Sequence, residues 1–204
     1  MDDTPVPDLM LHCWGTVLQL HPRAGFEFHL FDTSRITRIV GVEPMWRFAH
    51  DLGRHIDQYQ LGDIYQVLPT SCDDLDYLES AGLGPDSVDT VLSIHCLCSV
   101  PDPEATMRAM YRVLKPGGKF IFWEHHRSSD LVTELVQDLW NPIWTRVSGG
   151  CSLTTDVMAV VLAAGDWANV VIENDKKTFP FSVRPMTWGF LVKARERDRR
   201  QSRR

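Results

Sequence analysis

The chain lacks any long apolar run. No stretch of its 204 residues approaches the ~20 apolar positions needed to cross a bilayer, so no integral membrane segment is expected. It also lacks a secretory leader's basic start and apolar stretch: Met1–Leu11 carries acids and prolines instead. Paired cysteines are missing too. The five cysteines (Cys13, Cys72, Cys96, Cys98, Cys151) are odd in number and contain no C-x-x-C spacing. That excludes an evident disulfide framework and gives no reason to expect a metal. They read as small buried residues in a reducing, cytoplasmic compartment. Cys96 and Cys98 alternate along an expected strand and so share one face.

Positive charge is scarce except at one end. The formal net charge is −6, and the tail Ala194–Arg204 contributes +4 through six arginines against Glu196 and Asp198, leaving −10 elsewhere. An acidic body offers no nucleic-acid surface. The basic tail, 195–204, is expected to be disordered and solubilising. Internal repeats are absent. With 44% hydrophobic and 24% charged residues, the chain has the composition of one soluble domain with its own core. Its expected divisions are a short N-terminal segment, 1–14, a domain over 15–194, and the tail.

Apolar runs and punctuation alternate along that domain. Thr16–Leu20, Arg38–Val42, Tyr65–Leu68, Val88–His95 and Lys119–Trp123 read as strands, the fourth nearly continuous in apolar residues. Pro44–His55, Asp73–Ala81, Pro103–Leu114, Ser129–Trp144 (interrupted at Asn141-Pro142) and Thr154–Ala164 read as helices. Lys115-Pro-Gly-Gly118 is a helix stop. Asn169–Glu173 and Gly189–Lys193 have too little chain between them for a helical crossover and are expected to pair antiparallel. The fold class is α/β: a three-layer, doubly wound mixed sheet of seven strands, the last one antiparallel. Two stretches stand out. Val17–Gly25 is an apolar run feeding a Gly/Pro loop, and Val40–Pro44 ends about 20 residues later in an acid, where such folds hold a ribose.

The motifs Ser87-Val-Asp-Thr-Val91, Cys96-Leu-Cys-Ser-Val100 with Pro101 and Pro103, Arg112-Val-Leu-Lys-Pro-Gly-Gly118 and Glu124-His125 resemble class I S-adenosylmethionine-dependent methyltransferases. Gly15-Thr-Val-Leu18, Gly41-Val-Glu-Pro44, Trp140-Asn-Pro-Ile-Trp144, Gly149-Gly-Cys151, Arg184-Pro185 and Gly189 extend the likeness. Within that family the chain is similar to thiol methyltransferases and to fungal polyketide-tailoring O-methyltransferases. The resemblance implies S-adenosylmethionine as cofactor, held by Leu20, His21, Gly25, Glu43, Pro44, Cys72, Asp73 and His95. Glu43 would accept the ribose hydroxyls, Asp73 would meet the adenine amino group with Cys72 beside the ring, and His95 would face the methionine end. Helix capping is the rival role for Asp73. His125 and His95 are the candidate catalytic groups. His126 should point away from His125, and Glu124 should either orient a histidine or cap. Trp123, Trp140, Trp144 and Trp188 suggest an aromatic acceptor chamber.

The glycine loop departs from the family pattern. Gln19 stands for its acid, and His21 and Arg23 stand for its first two glycines; Gly25 alone remains. Arg23 could pair with the methionine carboxylate but would repel the sulfonium. A like-charge contact at 4 Å costs about 4 kcal/mol at an effective dielectric near 20, roughly three orders of magnitude in affinity. Two functions are therefore open. One is methyl transfer to a small molecule, most simply to an oxygen of a secondary metabolite such as a polyketide. The other is a degenerate fold acting as a cyclase, an isomerase or a non-catalytic partner. The sequence assigns neither an acceptor nor an oligomeric state.

Overall fold

The computed structural model describes residues 3–174 and 184–201. Its strands are β1 (Gly15–Leu20), β2 (Ile36–Val42), β3 (Tyr65–Leu68), β4 (Val88–Ile94), β5 (Leu114–His125), β6 (Trp167–Asn174) and β7 (Met186–Lys193). They form one sheet in the order β3-β2-β1-β4-β5-β7-β6. β1 to β5 pair in parallel, while β7 runs antiparallel to both β5 and β6. This is the expected mixed sheet, with β4 buried over its whole length.

Apolar side chains load both faces. On one face, α3 (Leu75–Ser80), α4 (Pro103–Val113) and α6 (Val157–Ala163) set Leu78, Met107, Met110, Val113 and Val161 against Leu18, Leu20, Val91, Phe120 and Phe122. On the other, α1 (Val6–Met10), a 3-10 turn at Phe28–Leu30 and α2 (Ala49–Gln58) set Val6, Met10, Phe28 and Leu52 against Val17, Ile39, Leu92 and Ile121. Each large side chain so buried contributes about 1.5–3 kcal/mol.

Several boundaries differ from the sequence expectation. α2 starts at Ala49 rather than Pro44, because Glu43 Oε1 accepts the Met45 N–H at 2.9 Å and a 3-10 turn, Trp46–Phe48, intervenes. Between β1 and β2 there is one 3-10 turn and no α-helix. α4 starts at Pro103 under an Asp102 cap, as its sequence directs. Its stop signal, Lys115–Gly118, does not form a loop. It is absorbed into β5, where the register with β4 slips and Gly117 takes φ +85°.

α5 (Leu131–Val147) runs straight through Asn141-Pro142. The proline forfeits one intrahelical N–H bond, and in the next turn the Thr145 hydroxyl donates to the Asn141 carbonyl at 2.8 Å. α5 is also inverted. Thr133 and Gln137 are its buried residues, whereas Leu131, Leu135, Leu139, Ile143 and Val147 are exposed. The tail expected to be disordered carries a helix, α7 (Glu196–Gln201); its residues 202–204 lie outside the described part.

Candidate functional site

The carboxyl ends of β1, β2, β4 and β5 converge on one rim, and the loop Leu20–Gly25 lies across it. His21, Arg23 and Gly25 have φ of 45°, 52° and 71°. The backbone therefore keeps a left-handed residue at every alternate position, as a glycine loop does, although two of the three carry side chains. At Gly25 the glycine is required: a Cβ would lie 2.8 Å from the Phe28 ring.

The loop has two partners. Its backbone faces Glu43, whose Oε2 accepts the Arg23 N–H at 2.9 Å. Glu43 itself is buried. The Arg23 side chain goes the other way, donating from Nη2 to the His95 carbonyl at 3.3 Å and to Ser99 Oγ at 3.4 Å. His21 turns inward and lies buried, with Nε2 3.9 Å from Cys72 Sγ. Cys96 completes a buried group with these two.

On the Arg23 side-chain face lies a cavity of about 510 Å³ whose lining includes His95, His125, Cys98, Cys151, Trp123 and Trp144. The two imidazole rings are 4.9 Å apart between centroids. His95 sits directly after β4 at φ +54°, a conformation histidine tolerates better than most residues. Its Nδ1 is buried without a hydrogen-bond partner. Burial, then the positive fields of His125, Arg23 and Arg184, push its pKa down to about 3, so the ring is neutral at pH 7. His125 Nδ1 is 3.2 Å from Cys151 Sγ and 3.7 Å from Cys98 Sγ, and the two sulfurs are 3.4 Å apart. The Cys98 contact lowers the Cys151 pKa, with His125 assisting, while Cys98 is raised in turn.

Of the expected site residues, His95 and His125 come together, as adjacent positions on an extended segment require of His125 alone. His126 is off the cavity, with Nδ1 on the Arg127 carbonyl. Glu124 does not touch either histidine. It is fully buried, and its Oε1 accepts from Ser93 Oγ (2.7 Å) and from the Cys96 and Leu97 amides (2.8 and 3.0 Å), capping the 3-10 turn Leu97–Ser99.

Leu20, Glu43 and Cys72 are buried behind the loop, apart from the cavity lining, while Pro44 and Asp73 lie exposed at the rim. The cap of α3 is Asp74, not Asp73, since Asp74 Oδ1 accepts the Tyr77 N–H at 3.1 Å. Of the four expected tryptophans, Trp123 and Trp144 line the cavity. Trp140 points to solvent, and Trp188 belongs to a separate groove near Leu9 and Phe190.

Cys96 and Cys98 do not share a strand face. β4 ends at Ile94, and the turn that follows sends Cys96 to His21 and Cys72, and Cys98 to His125 and Cys151. The partners of Cys98 and Cys151 are separated by dozens of residues, so no local spacing announced them. Arg184 was visible only as part of a motif, and it reaches the cavity because the approach to β7 brings it over the Trp144 ring, 5.2 Å from its centroid.

Residues 24–122 match a family model described as a methyltransferase domain. The chain is 37% identical over 75 residues to thiol S-methyltransferase TMT1B of Rattus norvegicus and 31% identical over 109 residues to thiol S-methyltransferase TMT1A of Homo sapiens. These matches take in 36% and 52% of this chain, and 31% and 44% of the relatives, so the chain spans less than half the length of either. Among solved structures, the [4+2]-cyclase SpnF superposes with a TM-score of 0.70 at 13% identity, over 93% of this chain and 78% of that one. At that identity the likeness is one of fold.

Proposed function

We propose that this chain, whose residues 24–122 match a methyltransferase domain, is a class I S-adenosylmethionine-dependent methyltransferase and methylates a small molecule held in the cavity at the ends of β4 and β5. The observation that carries this is the Leu20–Gly25 loop. It retains the alternating left-handed backbone, and it joins the Glu43 carboxylate on one side to the histidine-lined cavity on the other.

The residues present fit the cofactor. Glu43 has acceptor lone pairs left after its two amide bonds and would take the ribose hydroxyls. Leu20, His21 and Gly25 would border the methionine part, and Pro44, Cys72 and Asp73 would border the base. Arg23, whose guanidinium is held at Ser99, would pair with the methionine carboxylate. When bound, S-adenosylmethionine supplies an electrophilic methyl group. The protein's contribution is placement and proton removal. His95, neutral and in the cavity lining, orients the acceptor, and His125 takes its proton on Nε2. Trp123 and Trp144 enclose a flat apolar body. The activity in the relatives' names supports sulfur as the atom methylated, ahead of the polyketide oxygen that the resemblance alone suggested.

Isothermal titration with S-adenosylmethionine tests this. Binding is expected, weakened at least about 10-fold in Glu43→Gln, which keeps the side chain's shape but loses the carboxylate. No heat at millimolar ligand in folded protein overturns it. One observation favours the second function, a fold that has lost methyl transfer: the Arg23 guanidinium lines the same cavity, beside the His95 carbonyl and Ser99, and a positive charge there opposes a sulfonium. If the parent does not bind and a His21→Gly, Arg23→Gly double variant does, that second function holds.

A further inference from the structure

We propose that Cys98, His125 and Cys151 form a zinc site whose fourth coordination position opens into the cavity. The three donor atoms already surround one point. Cys98 Sγ and Cys151 Sγ are 3.4 Å apart, and His125 Nδ1 is 3.2 and 3.7 Å from them. Tetrahedral zinc, with bonds of ~2.3 Å to sulfur and ~2.0–2.1 Å to nitrogen, sets its ligands ~3.6–3.8 Å apart. Movements of a few tenths of an ångström therefore admit the ion.

The surroundings are built to hold these donors. Glu124 Oε2 accepts the Cys98 N–H at 3.3 Å, and Ser152 donates its N–H to the Cys98 carbonyl at 2.6 Å. The second bond ties the Cys98 turn to the segment bearing Cys151. That segment comes close only because Gly149 and Gly150 take φ of 71° and 99°; a Cβ on Gly150 would already lie 3.2 Å from the Ser99 carbonyl. The donor set is two thiols and an imidazole with no carboxylate, which selects zinc over magnesium or calcium.

Three protein ligands with an open fourth position is the pattern of reactive zinc sites, whereas structural ones are closed by four. Here the open side faces the cavity, since Cys98, His125 and Cys151 all line it. Zinc with two thiolates and a neutral imidazole carries no net charge. A fourth, anionic ligand is favoured by Arg23 and Arg184 in the same wall. The ligand class is therefore a small-molecule thiol, which loses its proton to solvent on coordination and stays ionised at neutral pH. With zinc on Nδ1 the neutral His125 ring carries hydrogen on Nε2, so in the zinc-loaded site the metal replaces His125 as the group that ionises the acceptor. This part rests on the cavity being the acceptor site; metal binding by the triad does not. The other cluster, His21, Cys72 and Cys96, is wholly buried and none of its members lines the cavity, so it offers no open position and serves as the internal control.

The test uses the full chain, reduced and stripped with chelator, without S-adenosylmethionine. Titration with zinc should show one equivalent bound. Cobalt substitution should give visible bands of a four-coordinate ion and a near-ultraviolet thiolate charge-transfer band, both shifted by 2-mercaptoethanol. Cys98→Ser and Cys151→Ser should each weaken binding by at least about 100-fold, more than loss of an outer partner, while Cys72→Ser should leave it unchanged. Thermal melts of the metal-free variants separate lost ligation from lost folding, and His125→Gln provides a further ligand variant. Absence of binding overturns the site, as does loss in Cys72→Ser with retention in Cys98→Ser. A cobalt spectrum indifferent to the thiol overturns the open position. Because no cofactor is present, metal binding and cofactor binding can each fail alone.

Discussion

At the end of β1, Gln19 occupies the place of a family acid, yet the carboxylate is not lost from the region. Glu27, eight residues later, is buried and bonded to Gln19 Nε2, and Gln19 Oε1 in turn accepts the Tyr65 hydroxyl at 2.7 Å. Burial raises the Glu27 pKa to about 7, against its own backbone and Gln19 hydrogen bonds. A raised acid is protonated in the fold when the unfolded chain has already ionised. Its contribution to stability is thus complete below pH 4.5 and falls until about pH 7. The shift of roughly 2.5 pH units corresponds to about 3 kcal/mol at most. Glu27→Gln should melt like the parent near pH 4.5 and become progressively more stable than it up to pH 7, with a constant gap above. Parallel thermal melts across that range check this; a gap independent of pH would place the charge of Glu27 elsewhere.

Among the elements, the turn Leu97–Ser99 and helix α5 form the cavity wall, and both are held by buried polar groups. Three amides of the turn, Cys96, Leu97 and Cys98, bond to Glu124. Burial raises the pKa of that carboxyl, while its Ser93 and amide bonds oppose the rise. Glu124→Ala strands three donors, so destabilisation of roughly 3 kcal/mol or more is expected by denaturant melts. In α5, Gln137 Oε1 accepts the Ser128 N–H at 2.8 Å and its Nε2 donates to the His126 carbonyl at 3.3 Å. Gln137→Leu should cost about 1–3 kcal/mol, whereas Leu139→Ser on the exposed face should stay within ~0.5 kcal/mol. Equal effects would mean that α5 packs through its apolar side. Apolar spacing along this helix states which residues share a face, not whether that face looks inward.

For the whole molecule, the mixed sheet gathers groups from every part of the chain at one rim, and one of them couples the site to stability. His95 has its pKa lowered to about 3 by burial and by neighbouring cations, so it is neutral in the fold while the unfolded chain protonates near pH 6.5. Its stabilisation is complete above pH 6.5 and is lost as the pH falls toward 3. His95→Asn, which suits the left-handed backbone at this position, should flatten the acid limb of the melting profile relative to the parent. An unchanged acid limb would show that His95 is solvated.

The alternation of buried runs with amphipathic segments determined the seven strands, their mixed direction and the position of the Leu20–Gly25 loop, because those depend on local burial and short connections. Glu43 and the histidines at the strand ends were legible for the same reason: a parallel sheet delivers strand termini to one rim. What surrounds them was decided only in three dimensions. Cys98 and Cys151 are 53 residues apart and meet through a Gly-Gly turn. Arg23 keeps a glycine's backbone while its side chain reaches Ser99, and Glu124 was resolved as a cap. Residue spacing encodes which way a side chain leaves its own element; it does not encode which other element stands opposite, and the chemistry of this rim is set by those oppositions.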